Sequence, residues 1–90
     1  MEQRARPVDV ICICEADGQI RPLRLRMVDE NNGELRLQIG EILGVERNRR
    51  FGAESITFLC RGMTEDKSHL LEIRYCIRTH SWSILRRFQK

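Results

Sequence analysis

The stretch that decides the fold is Val8-Asp9-Val10-Ile11-Cys12-Ile13-Cys14-Glu15-Ala16-Asp17-Gly18-Gln19-Ile20-Arg21-Pro22-Leu23-Arg24-Leu25-Arg26-Met27. Its first seven residues are mostly β-branched or small and apolar. From Ile20 the pattern alternates, with Leu23, Leu25 and Met27 on one face and Arg24 and Arg26 on the other, a period of two that marks a half-buried strand. Asp17-Gly18 between the two runs is a hairpin signal, because both residues tolerate the backbone of a tight turn. A two-residue turn there sets Cys12 opposite Leu23, Val10 opposite Leu25 and Asp9 opposite Arg26.

Working outward, Glu34 to Ile39 alternates again, with Leu35, Leu37 and Ile39 on one side. A two-residue turn at Asn32-Gly33 would send the apolar stripes of neighbouring strands to opposite faces, so the loop must be odd. A three-residue loop, Asn31-Asn32-Gly33 with Gly33 left-handed, places Met27 opposite Leu37 and Leu25 opposite Ile39. From Gly40 to Phe51 the signals conflict. Ile39, Ile42 and Leu43 have helical spacing while Gly40 and Gly44 oppose a stable helix, which predicts at most one helical turn near 40–45 and then a short strand. Ser55 to Met63 reads as a strand buried on both sides, and Leu70 to Arg78 as its partner, with Cys60 opposite Leu71, Phe58 opposite Ile73 and Ile56 opposite Tyr75. A turn at Thr79-His80-Ser81 leads to a last strand, Trp82 to Phe88, with Trp82 and Ile84 inward.

Five to six strands joined by short hairpins have to close or bend strongly to remove their edges. The expected fold is therefore all-β, a small antiparallel barrel or strongly bent sheet, SH3-like or OB-like in general shape. At 90 residues the chain fits one domain, with an ordered core of about 8–88, since two cores of this total size would each be too small to stand alone. No run approaches the roughly 18–20 consecutive apolar residues of a membrane helix, and the first seven residues lack a signal-peptide core, so the expectation is a cytoplasmic chain with no membrane partner.

Chemistry-bearing residues are few. Cys12, Cys14, Cys60 and Cys76 are the candidates for a cysteine-bound metal module, but Cys12 and Cys14 on a strand point to one face about 7 Å apart, too far to share one zinc easily. Buried free thiols are the plainer reading, and no cofactor is expected. Covalent catalysis needs a histidine beside a cysteine. Only His69 and His80 exist, and an extended strand would hold Cys76 and His80 about 13 Å apart. Glu65-Asp66 and Asp29-Glu30 read as solvated turn residues. The expectation is that the chain is not an enzyme.

The net charge is +3, with 16 Lys plus Arg of which only Lys67 and Lys90 are lysine. Arginine forks suit phosphates and carboxylates. Arg21, Arg24, Arg26, Arg49, Arg50, Arg86 and Arg87 are the candidate nucleic-acid contacts, against the plainer reading of arginines dispersed among carboxylates on a solvated surface. Base-stacking aromatics are scarce. Phe58, Tyr75 and Trp82 point inward on this reading, which leaves Phe51 and Phe88.

Four segments carry a resemblance: Arg21-Pro22-Leu23-Arg24, Phe58-Leu59-Cys60, Leu71-Glu72-Ile73-Arg74-Tyr75 and Thr79-His80-Ser81-Trp82. With them, Val8 to Trp82 resembles a family of short uncharacterised bacterial β-proteins, a domain of unknown function, and the resemblance implies no chemistry. The function expected from the residues is a non-enzymatic interaction module for a protein partner or for self-association. The alternative is single-stranded nucleic-acid binding through the arginines.

Overall fold

The computed structural model describes residues 5–29, 33–50 and 52–88, with the side chains of Asp29 and Arg50 outside that description. Six strands follow one another: β1 (Arg6–Cys14), β2 (Ile20–Asp29), β3 (Gly33–Arg50), β4 (Ala53–Met63), β5 (Ser68–Cys76) and β6 (Ser81–Phe88). Each pairs antiparallel with the next, and β6 returns to β1, so the sheet closes into a barrel in plain chain order. Closure removes most of the edges that a meander of short strands would otherwise expose. No helix occurs among the described residues.

The core is the inward half of each alternating strand. Leu25, Met27, Leu37, Ile39, Ile56, Phe58, Cys60, Leu71, Ile73, Tyr75, Trp82 and Ile84 form one buried cluster. Aromatic packing joins β4, β5 and β6 within it, where Trp82 stacks on Phe58 at 5.7 Å and meets Tyr75 at 4.9 Å between centroids. The β4–β5 register is the one that parity demands, with Ile56 opposite Tyr75, Phe58 opposite Ile73 and Cys60 opposite Leu71.

The first hairpin departs from the two-residue turn. Gly18 donates its N–H to the Glu15 carbonyl at 2.8 Å, and Glu15 donates its own to Gln19 O at 2.7 Å. Gly18 has φ of 91° and Asp17 does not share the positive φ, so the loop is a turn closed by a left-handed glycine. That loop pairs Cys14 with Ile20 and Cys12 with Pro22, one residue away from the expected Leu23. Leu23 is then the extra residue of a bulge between Ile11 and Cys12, and beyond it Val10 faces Leu25 and Asp9 faces Arg26 as parity requires. Pro22 stands at the bulged site, where a residue without an N–H costs least.

Two further expectations are corrected. Asp29 pairs with Gly33 and Met27 with Leu35, so Leu25 meets Leu37 and not Ile39. The turn residues Asn31 and Asn32 lie outside the described residues, while Gly33 has the left-handed φ of 79° expected of it. The predicted helical turn near 40–45 is instead continuous strand with register shifts between Ile39 and Ile42 and between Ile42 and Gly44. A bulge adds a residue to one strand, so inward positions on β3 step from Ile39 to Ile42 by three, which imitates helical spacing.

Candidate binding cleft

Residues of β1, β2 and β3 that do not face the core face outward, and strand alternation lines them up: Asp9 and Ile11 on β1, Arg24 and Arg26 on β2, Arg36 and Gln38 on β3. These strands, with Met63 at the end of β4 and Thr64 and Glu65 of the β4–β5 loop, enclose an open cleft of about 740 Å³. Its apolar floor includes Ile11 and Met63, both well exposed. Met63 lies across Gly40, where a Cβ would stand 2.7 Å from the Met63 methyl carbon. The loop wall holds its own shape, because the Thr64 N–H reaches Lys67 O at 2.9 Å and Thr64 Oγ1 accepts the Lys67 N–H at 3.1 Å.

Charge in the cleft is mixed. Arg26 donates through Nε to Asp9 Oδ2 at 3.1 Å, and this bond, with the nearby Asp9 and Glu34 charges, raises the guanidinium pKa further. Arg36 is bonded to Glu34. Arg24 has no carboxylate partner among the described residues. Of the seven arginines predicted to contact nucleic acid, Arg24 and Arg26 alone line this cleft among the described residues, and the structure adds Arg36, which the sequence reading left out. The missed signal was parity, since Arg36 stands directly opposite Arg26 across β2 and β3.

The other candidates are scattered. Arg21 pairs with Glu15 at 3.4 Å at the tip of the first hairpin, Arg49 with Glu54 at 3.2 Å on β3 and β4, and Arg86 with Glu72 at 3.0 Å on β5 and β6. These surface pairs contribute little stability individually, of order 0–1 kcal/mol. Arg87 stands opposite Leu71, and the Arg50 side chain lies outside the described residues. Phe88 is partly exposed beneath the Arg86 guanidinium, 5.8 Å from its centroid, and Phe51 is not described.

The four cysteines are free and do not converge as a set. Cys60 is fully buried in the core, and burial pushes its thiol up to about 11. Cys12 and Cys14 face the same way on β1, as strand geometry predicts, and both are exposed. Among the described residues no group of three or more histidine, cysteine or carboxylate side chains is arranged to hold a metal ion. The expected separation of Cys76 from His80 is corrected, because the chain turns there and does not extend: His80 takes φ of 57° and donates its N–H to Cys76 O at 2.8 Å. The His80 ring is engaged elsewhere, with Nδ1 2.9 Å from the Tyr75 hydroxyl. The Cys76 thiol is lowered chiefly by the Thr79 hydroxyl and then by backbone N–H groups of the same turn. Tyr75 is raised by burial first, and then by the neighbouring thiols of Cys12, Cys14 and Cys76.

No protein-family model matches the chain, and neither a curated protein nor a solved structure does.

Proposed function

We propose that this chain is a non-enzymatic interaction module that seats an extended segment of another protein in the cleft on β1, β2 and β3. One observation carries the reading. The cleft, about 740 Å³, lies within the roughly 300–1,000 Å³ range of ligand sites, yet its arginines Arg24, Arg26 and Arg36 are interleaved with Asp9 and Glu65 around an apolar floor. A mixed-charge wall with an apolar base suits a polypeptide, whose backbone and side chains present both polarities. Among the lining residues there is no cysteine, serine or histidine to act as nucleophile or base.

Single-stranded nucleic acid is the second reading, favoured by three arginines sharing one face. Against it, no aromatic side chain lines the cleft to stack a base. The two readings separate by salt. Three neutralised phosphates on a single strand predict an affinity loss of about 20-fold between 50 and 200 mM salt, from a slope of roughly 0.7 per phosphate.

The test pairs a labelled single-stranded oligonucleotide with peptides selected from a random displayed library, each measured at both salt concentrations. Peptide binding that changes only a few fold with salt, and that drops at least tenfold in the Arg24→Glu, Arg26→Glu double variant, supports the protein-binding reading. Oligonucleotide binding with the steep salt slope, lost in the same variant, replaces it with the second reading. Peptide binding indifferent to the double variant removes the cleft from the account.

A further inference from the structure

The barrel is closed, but several stretches of strand have a free side among the described residues. β1 pairs with β6 only through Arg6, Pro7 and Val8, so from Asp9 to Cys14 its sole partner is β2. On the other side, β2 and β3 separate beyond Arg24 and Gln38, leaving Ile20–Leu23 of β2 and Ile39–Arg50 of β3 without a common rung. Two N–H groups of the β5–β6 turn are engaged away from the β1 edge, since Ile77 donates to Glu54 O and His80 to Cys76 O.

Free edges are normally blunted by charge, proline or bulges. The β2 stretch has all three in Arg21, Pro22 and the bulged Leu23, and the β3 stretch has Glu41, Glu46, Arg47 and Arg49 besides its own bulges. On β1 the edge carries a charge only at its start, Asp9, and Val10–Cys14 has no charge and no proline. Val10-Ile11-Cys12-Ile13-Cys14 is five uncharged residues, of which the last four are exposed, Ile11 at 60%. Every second residue of an antiparallel strand turns its N–H and C=O away from its partner, so this edge presents backbone donors and acceptors flanked by apolar side chains.

We propose that the β1 edge pairs antiparallel with the same edge of a second copy of this chain, about a twofold axis at Cys12. The pattern is self-complementary. In that register Ile11 meets Ile13 of the partner subunit on the outer face, while Val10 meets the partner's Cys14 and Cys12 meets the partner's Cys12 on the inner face. Every rung from 10 to 14 is apolar against apolar. The next rung sets Asp9 against the partner's Glu15, and each of these carboxylates is already held by an arginine of its own chain, Arg26 for Asp9 and Arg21 for Glu15. A twofold homodimer with an isologous interface is the commonest assembly of soluble chains, and a copy always supplies the matching pattern. The inference is independent of the peptide-binding reading, although Ile11 lines that cleft and the partner's Ile13 would extend its wall.

The experiment is sedimentation of the full chain across a range of micromolar concentrations, joined to thiol bridging. The expected mass is twice the 10.6 kDa of one chain. Ile11→Lys with Ile13→Lys should return it to the single-chain mass with an unchanged circular dichroism spectrum, and Leu43→Lys with Val45→Lys on β3 should not. Dibromobimane, which bridges only closely opposed thiols, should give a dimer band on a denaturing gel that disappears in Cys12→Ser and persists in Cys14→Ser. Should the lysine pair unfold the chain, the bridging pattern still decides. A single-chain mass at every concentration overturns the proposal, as does a dimer that ignores the β1 lysines or a band that survives Cys12→Ser.

Discussion

At the scale of single residues, the tightest constraint in the barrel is a missing side chain. Gly62 on β4 is buried between Leu37 and Leu71, and a Cβ there would lie 2.6 Å from Leu71 Cδ1 and 3.2 Å from Leu37 Cδ1. Both leucines are almost wholly enclosed and have nowhere to retreat. Gly62→Ala is therefore expected to lower stability by about 1–3 kcal/mol, the usual cost of overpacking, read as a shifted urea midpoint. Cys60, two residues away, gives a pH signature. Its folded thiol holds its proton up to about 11, whereas an ordinary thiol releases it near 9.0. Between those values the unfolded chain binds fewer protons than the folded one. Stability contributed by the neutral thiol is thus complete below pH 9 and falls as pH rises toward 11, by about 2–3 kcal/mol at 1.36 kcal/mol per unit. Tyr75 shifts in the same sense by burial, so the informative quantity is the difference between the native chain and Cys60→Ala in urea midpoints at pH 8 and 11. A slope unchanged by Cys60→Ala would show that the thiol is not enclosed.

At the scale of elements, parity was legible and counting was not. Alternation assigned Leu25, Leu37, Phe58, Cys60, Ile73, Trp82 and Ile84 to the interior, because a half-buried strand cannot present its apolar stripe to water without losing the core. The same reasoning assigned Arg24 and Arg26 to the outer face, where the cleft forms. What alternation cannot reveal is a residue inserted into one strand, since a bulge and a longer turn produce the same parity. Leu23 is such a residue, the shift from Ile39 to Ile42 is another, and their effect was a misplaced Cys12 partner and a helical turn that does not exist. The cleft was legible only in part for a related reason: its loop wall at Met63–Glu65 comes from strands distant in sequence, and no local pattern announces that approach. The first hairpin offers a test of the turn that was misread. Gly18 holds φ of 91° with open space around the position of a Cβ, so Gly18→Ala meets backbone strain alone. The expected loss is about 1–2 kcal/mol, the cost of placing a residue with a side chain in the left-handed region. A two-residue turn of the kind first expected, with Asp17 sharing the positive φ, would predict partial rescue by Asp17→Gly, whereas the observed turn predicts none.

At the scale of the whole molecule, the barrel is not equally strong around its circumference. β4 and β5 are joined along their length, from Ser55 opposite Cys76 to Met63 opposite Ser68, through the most enclosed residues of the core. Among the described residues the seam between β1 and β6 has three rungs, Arg6 with Ile84, Pro7 with Ser83 and Val8 with Trp82, and Pro7 brings no N–H to the ladder. Beyond Val8 the first hairpin projects past its neighbour, with Ile11, Cys12, Ile13 and Cys14 exposed. Local opening follows the weakest set of bonds and the least buried surface, so the seam should part without unfolding the β4–β5 pair. Native-state hydrogen exchange is the measurement. Amides of Ile56–Gly62 and of their β5 partners are expected to exchange only through global unfolding, with a dependence on urea equal to that of the whole chain. Amides at Val8 and along Asp9–Cys14 should exchange much faster and with little dependence on urea, except where self-association covers the β1 edge and slows those that face the second copy. Concentration therefore separates the two causes of protection: protection at Asp9–Cys14 that is high and independent of chain concentration would mean that the seam is as strong as the rest of the barrel, and that three rungs suffice to hold it.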